Sequence, residues 1–238
     1  MPLLLYSLSK GDPDLNDLLG VDELPVLFKR VDNIWVGMSE LKEQDLIIPD
    51  KATELSQHPA YIYQEVVKHI HSQVPTVPVR LPTIVADQTA LAELINKNVL
   101  AIHKELNRIG GMVEYTYHFK KRKSKQASTD PVGLSENPSP GTQYLLKKYE
   151  LQRESLKLES DKERLTSILQ SVYHDGIIEI TAQAKVDSIS VNVLTNAAWI
   201  PSIVGLSELR EKVDGYSVHN FGPYPPFHFV VLRLVSPT

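Results

Sequence analysis

The second half of the chain switches repeatedly between two hydrophobic periods, and the order of these switches restricts its fold. Alternation with period two predicts strands, whereas apolar residues spaced by three and four predict helices. The predicted elements are strand 112–119, helix 142–173, strands 178–185 and 188–193, helix 202–213 and extended segments 216–221 and 228–235. The order strand, helix, strand, strand, helix, strand is typical of a ferredoxin-like fold. Here it has a long first helix and an extra terminal strand.

The first half is predicted to form a separate α+β domain. Apolar runs that meet at Asp32-Asn33 indicate a β-hairpin. Prolines favour an extended edge segment over 76–85, and helices are expected over 59–73 and 87–109. The second helix ends at Gly110-Gly111 and is expected to bury a stripe of Leu91, Ile95, Val99, Ile102, Leu106 and Ile109. At roughly 150 residues per domain, 238 residues fit two domains, 1–110 and 111–238.

A basic and then Ser/Pro/Gly-rich insert, residues 120–141, interrupts the second domain and is expected to be a flexible loop. It begins with Lys120, Lys121, Arg122, Lys123, Ser124 and Lys125. Such a run suits an RNA- or anion-binding module, although a solvated loop is the simpler interpretation. RNA recognition by this strand order also needs aromatic residues on the third strand, which offers only Ser188, Ser190 and Asn192. Tyr115, Tyr117 and Phe119 on the first strand are therefore expected in the core, and the alternating Glu114, Thr116 and His118 are expected on a solvent-facing side.

Composition and motifs give no support for an enzyme. The chain has no cysteine and a formal net charge of −4, which excludes a thiol nucleophile and disfavours a general nucleic-acid coat. Ser7 and Lys10 have a Ser-x-x-Lys spacing without the accompanying motifs. The acidic loop from Asp12 to Glu23 has calcium-loop spacing but carries Asp17 where the glycine is required. We predict no catalytic residue, no cofactor and no metal site.

No signal peptide or membrane span is expected. The apolar stretch at the start is too short and lacks a preceding basic residue. The longest uncharged stretch, 188–207, contains seven polar residues and one proline, and lipid would leave the polar groups unsatisfied. We therefore expect no targeting or membrane-spanning segment in this sequence.

Three segments together identify a family resemblance. The turn Gly222-Pro223-Tyr224-Pro225-Pro226 resembles the terminal Gly-Pro-Trp-Pro-Pro-Tyr signature of the gas vesicle GvpF/GvpL family, with Tyr224 in place of Trp. Residues 76–83 are similar to its "tVlPvrfGt" stretch, and residues 141–145 to its Gly-Arg-Ala-Tyr-Leu helix start. With the opening Leu4-Leu5-Tyr6 strand, the match covers nearly the whole chain.

The resemblance implies a two-domain α+β protein whose C-terminal domain is ferredoxin-like. It also implies a non-enzymatic minor protein required for the assembly of gas vesicles, the organelles of buoyancy, within the cytoplasm. Its implied partners are the shell protein GvpA and other minor gas vesicle proteins, without nucleic acid or membrane.

A helper for such a shell must cover apolar surface, because unassembled subunits that line a gas space tend to aggregate. We therefore expect shell subunits to bind the projecting part of the long helix and the proline-rich turn. The alternative for both is packing within the chain, and for the turn this alternative is favoured. The candidate partner-binding residues are Tyr144, Tyr149, Leu156, Pro223, Tyr224, Pro225 and Phe227.

Overall fold

The computed structural model describes residues 1–42, 58–122, 140–173, 175–185 and 187–235. They form a mixed α+β protein with two antiparallel sheets, as the sequence predicts. The strands are β1 (Leu3–Ser9), β2 (Leu27–Val31), β3 (Ile34–Glu40), β4 (Thr76–Pro78), β5 (Ile84–Val85), β6 (Met112–Lys121), β7 (Glu179–Lys185), β8 (Ser188–Asn196) and β9 (Tyr216–Tyr224). The helices are α1 (Pro59–Gln73), α2 (Gln88–Ile109), α3 (Pro140–Val172) and α4 (Ile203–Lys212).

The first sheet is built around β1, all of whose residues are buried. Its order is β2-β3-β1-β4, and β5 also pairs with β1. The register between β1 and β3 shifts by one residue between Leu5 and Ser7, which is a β-bulge at Tyr6. The Tyr6 hydroxyl accepts the N–H of Val21 at 2.9 Å, and its ring stacks on Tyr63 at 5.4 Å. Tyr6, the bulged residue, therefore connects the sheet both to the segment around Val21 and to α1.

Side chains cap both helices of this region. The His58 ring accepts the N–H of Ala60, and the Asp87 carboxylate accepts the N–H groups of Thr89 and Ala90, both at 2.9 Å. These bonds satisfy donors that have no partner inside a helix. The predicted starts of α1 and α2 are therefore confirmed.

The second sheet has the order β7-β8-β6-β9, and α3 and α4 lie between its strands in the chain. The β7–β8 hairpin pairs without a register shift from Glu179↔Leu194 to Lys185↔Ser188. As expected, the β6 aromatic residues Tyr115, Tyr117 and Phe119 are buried, with at most 5% of their surface exposed.

Contacts divide the chain into two compact units. The first contains Met1–Glu114 together with Pro223–Thr238, and the second contains Tyr115–Gly222. Compactness does not test independent folding, so the domains 1–110 and 111–238 stay a prediction. The grouping differs from them by placing the end of the chain with the first unit. Within the predicted flexible insert 120–141, residues 123–139 lie outside the described residues.

The sequence predictions for the terminal strand and for the buried face of α2 are wrong. The expected terminal strand 228–235 is a short 3-10 helix, Phe227–Phe229, followed by irregular chain. The backbone N–H groups of His228, Val231 and Val235 donate to side chains and not to a neighbouring strand. In α2, Asn98 is buried where Val99 was expected, and Val99 is half-buried. The Asn98 side chain bonds both the backbone N–H and the carbonyl of Val235.

Candidate functional site

The first half of α3 presents large apolar side chains to solvent. Tyr144, Leu145, Tyr149 and Leu156 are each 65–67% exposed. Among the described side chains from Gly141 to Arg164, none is buried. Three of the predicted partner-binding residues, Tyr144, Tyr149 and Leu156, therefore lie on a part of the helix that the described residues leave exposed.

The second half of α3 is the part that packs against the rest of the second unit. Leu165 and Leu169 are fully buried, and Tyr173 just beyond the helix is 7% exposed. The Tyr216 hydroxyl donates to the Asp161 carboxylate at 2.9 Å. Burial, followed by this carboxylate, raises the pKa of Tyr216 to about 12. The helix is thus anchored from Asp161 onward.

The apolar residues of the two halves lie on opposite sides of α3. At 3.6 residues per turn, Leu145, Tyr149 and Leu156 fall on one line along the helix, which we call the exposed stripe. Leu165 and Leu169 fall roughly half a turn away from that line. The exposed stripe therefore does not continue the face that packs on the sheet.

An aromatic cluster fixes the end of α3. Tyr173 packs edge-on against Trp199 at 5.4 Å between ring centroids and lies 5.8 Å from Tyr117. Trp199 also packs against Tyr115 at 5.5 Å. Gly176 allows this arrangement, because a Cβ there would lie 1.9 Å from the Trp199 ring nitrogen. The cluster therefore ties the end of α3 to β6 through ring contacts.

The proline-rich turn behaves differently from the helix. Pro223 is exposed and Tyr224 half-buried, whereas Pro225 is buried. Phe227 is half-buried and packs against the core cluster of the first unit, which includes Tyr6. Partner binding by these four residues stays a prediction, and two of them already contribute to packing within the chain.

Three buried polar side chains hold the residues after this turn. The Glu114 carboxylate accepts the backbone N–H of His228 at 2.9 Å and contacts its ring Nδ1 at 2.5 Å. The Glu105 carboxylate accepts the N–H of Val231 at 2.9 Å. Asn98 accepts the N–H of Val235 at 3.2 Å and donates to its carbonyl. We call residues 223–235 the C-terminal segment.

The two carboxylates form charged pairs with different pH behaviour. Burial acts to raise the pKa of Glu105, but hydrogen bonds from Arg108 and Val231 outweigh it, so this pKa is lowered. The hydrogen bond to Glu114 raises the pKa of His228, although burial opposes it. Arg108 also donates to the carbonyl of Phe229. The anchoring of the C-terminal segment therefore depends on ionised groups.

The sequence analysis did not predict the roles of the polar residues Asn98, Glu105 and Glu114. Asn98 and Glu105 stand seven residues apart among the apolar positions of α2, and Glu114 was assigned to a solvent-facing side of β6 but is 1% exposed. Polar residues at core spacing were the available signal. Their partners are backbone N–H groups, which no sequence motif reveals.

The weak catalytic and metal patterns do not assemble. Ser7 is buried, while Lys10 is bonded to the Asn107 side chain. Asp12 accepts the N–H of Asp14 in a local turn. Across the residues that the structure covers, no group of three His, Asp or Glu side chains is arranged to hold a metal ion. None of the described helices is both long and apolar enough to cross a bilayer.

The basic run is only partly described, through Lys120, Lys121 and Arg122. The N–H of Lys121 donates to the carbonyl of Asp187, and that of Arg122 to the carbonyl of Gly215, next to Asp214. The acidic residues Asp187 and Asp214 therefore lie at or next to the two residues that accept these backbone hydrogen bonds. The RNA- or anion-binding alternative stays a prediction that no described contact favours.

The comparisons with known proteins agree with this architecture. The family model "Gas vesicle synthesis protein GvpL/GvpF" matches residues 3–231. The crystal structure of GvpF from Anabaena sp. PCC7120 is similar, with a TM-score of 0.66, 13% identity and coverage of 100% of this chain and 99% of that chain. GvpF from Microcystis aeruginosa has a TM-score of 0.65 and 11% identity, covering 96% of this chain and 98% of that one. No curated protein matches in sequence. The chain belongs to the gas vesicle GvpL/GvpF family.

Proposed function

We propose that this protein is a non-enzymatic assembly factor that binds the shell protein GvpA at growing gas vesicles in the cytoplasm. Membership of the GvpL/GvpF family supports a gas vesicle role. We further propose that the second unit is a ferredoxin-like module. The sheet order β7-β8-β6-β9 and the chain order strand, helix, strand, strand, helix, strand support this assignment.

The exposed stripe of α3 is the observation that carries the proposal. Leu145, Tyr149 and Leu156 extend along about 17 Å of helix at 1.5 Å per residue. The exposed cations Lys148, Arg153 and Lys157 lie beside them. An apolar centre with a polar rim is the usual composition of a protein–protein interface. An apolar stripe turned away from its own sheet suits a partner with exposed hydrophobic surface, such as an unassembled shell subunit.

The anchored base of α3 would lower the cost of binding. A helix held by Leu165, Leu169 and the aromatic cluster presents the stripe without having to order it first. Preorganisation of this kind improves affinity because less conformational entropy is lost on association. The proline-rich turn, and Tyr144 beside the stripe, remain secondary candidates for the same partner.

The proposal is tested by pull-down of GvpA with the full chain and with Tyr149→Ser/Leu156→Ser. Removing two apolar anchors is expected to weaken binding by more than about tenfold. Lys147→Ser, exposed on the opposite side of α3, is the matched control and should bind like the parent. Equal binding by all three proteins would refute the assignment of the stripe. Failure of the parent to bind GvpA would refute the proposed function.

A further inference from the structure

Among the described edge strands longer than three residues, β7 is the one that has no proline or glycine and whose charged residues stand only at its two ends. Natural proteins block edge strands with proline, adjacent charges, bulges or short length. The edge strand β2 carries Lys29 and Arg30, both exposed, and β4 ends in Pro78. The edge strand β9 contains Pro223. In contrast, β7 pairs with β8 over seven residues without a register shift and contains neither proline nor glycine.

The sequence of β7 is complementary to itself in the antiparallel direction. The five central residues, Ile180-Thr181-Ala182-Gln183-Ala184, are uncharged, with Glu179 at one end and Lys185 at the other. If two copies pair about Ala182, Glu179 of each copy lies opposite Lys185 of the other. Glu179 also interacts within its own chain. Its negative charge is nevertheless opposite in sign to that of Lys185 of the second copy. Opposite charges in directly facing positions stabilise a strand pair, whereas like charges destabilise it.

The same register aligns the apolar side chains. Residues 180, 182 and 184 share one face of the strand, and pairing about Ala182 places Ile180 of one copy opposite Ala184 of the other. The small alanine side chains leave room for close approach along this face. Charge and side-chain size therefore both favour one register and one occupant.

We propose that the β7 edge is a homodimer interface, in which two copies join their sheets through an antiparallel β7–β7 pair centred on Ala182. The interface is isologous, as expected for a two-fold dimer. Since a single strand pair buries little area, we expect a weak dimer that forms at tens of micromolar or above. This inference goes beyond the proposed function and requires no shell protein.

Disulfide trapping tests the register. The chain has no cysteine, so Ala182→Cys introduces a single thiol that would face its symmetry mate. Directly opposite residues in antiparallel strands have Cα atoms about 4.5–5.5 Å apart, within the range of a disulfide. Under mild oxidation of the purified full chain, Ala182→Cys should form covalent dimers at least about fivefold faster than His219→Cys on β9, which is exposed. Equal rates would overturn the proposal.

Charge reversal tests the pairing without a disulfide. Lys185→Glu places like charges at both ends of the pair and should raise the dissociation constant about tenfold in sedimentation experiments. Glu179→Lys/Lys185→Glu should restore it to within about threefold of the parent, whereas Arg210→Glu on α4 should leave it unchanged. A parent that remains monomeric, or a dimer indifferent to Lys185→Glu, would overturn the proposal.

Discussion

At the scale of single residues, the Tyr6 hydroxyl carries the first prediction. Tyr6→Phe keeps the ring stacked on Tyr63 but removes the oxygen that accepts the Val21 N–H at 2.9 Å. A buried donor left without a partner costs about 1–3 kcal/mol. We expect the free energy of unfolding, measured with urea, to fall by that amount. Tyr61→Phe, at an exposed position, should change it by less than about 0.5 kcal/mol. Equal losses from both variants would contradict the role of the hydroxyl.

The His228–Glu114 pair predicts a specific pH dependence. The pKa of His228 is raised in the folded protein, so its contribution is complete below the ordinary value of 6.5 and is lost as the pH rises through the folded value. The difference in melting temperature between the parent and His228→Ala should therefore be largest in mildly acidic buffer and shrink in alkaline buffer. His219→Ala, exposed on β9, serves as the control. A difference independent of pH, or one that grows with pH, would contradict the pair.

Residue-level predictions from sequence succeeded where the partner was local and failed where it was distant. The start of α2 near Asp87 was predicted, and in the structure the Asp87 carboxylate accepts N–H groups from residues two and three positions ahead. Glu114 was predicted to face solvent because alternation along β6 was the only information available. Its partner, the N–H of His228, lies more than a hundred positions along the chain. Such long-range hydrogen bonds leave no trace in hydrophobic periodicity.

At the scale of elements, α3 combines two segments with different energetics, and a pair of identical substitutions should separate them. Leu169→Ala removes a fully buried side chain and should lower the free energy of unfolding by about 2–4 kcal/mol. Leu156→Ala removes a side chain that is 67% exposed and should change it by less than about 0.5 kcal/mol. Both substitutions change helix propensity equally, so the difference reports burial. Similar losses in urea titrations would show that the exposed stripe is covered in solution.

Element type was readable from sequence wherever one period persisted. The β7–β8 hairpin and α2 follow clear periods of two and of three to four, and both are found as predicted. The segment 228–235 looked extended because its residues are mostly apolar and include the β-branched Val230, Val231 and Val235. An extended segment becomes a strand only if another strand offers its backbone groups. Here Glu114, Glu105 and Asn98 supply those bonds, so the strand prediction was wrong.

At the scale of the whole molecule, the comparison structures show how loosely sequence determines this fold. GvpF from Anabaena sp. PCC7120 shares 13% identity with this chain, and yet the TM-score is 0.66 over 100% of it. Burial pattern and turn positions can persist while most residues change, because a core tolerates substitutions that preserve volume and polarity pattern. The resemblance in the proline-rich turn therefore identified the family better than overall identity could. It did not reveal that the chain after the turn returns to the first unit.

That return makes the C-terminal segment a stabilising part of a unit that begins at the other end of the chain. A chain ending at Gly222 loses the buried Phe229 ring and leaves Glu114 without the His228 N–H. Removing a buried aromatic side chain alone costs about 3–5 kcal/mol. We expect hydrogen exchange to lose protection in β1 and α2 while β7 and β8 keep theirs. A chain ending at Val235 retains these contacts and should exchange like the parent. Uniform loss across both units, or no loss, would contradict the assignment of the segment to the first unit.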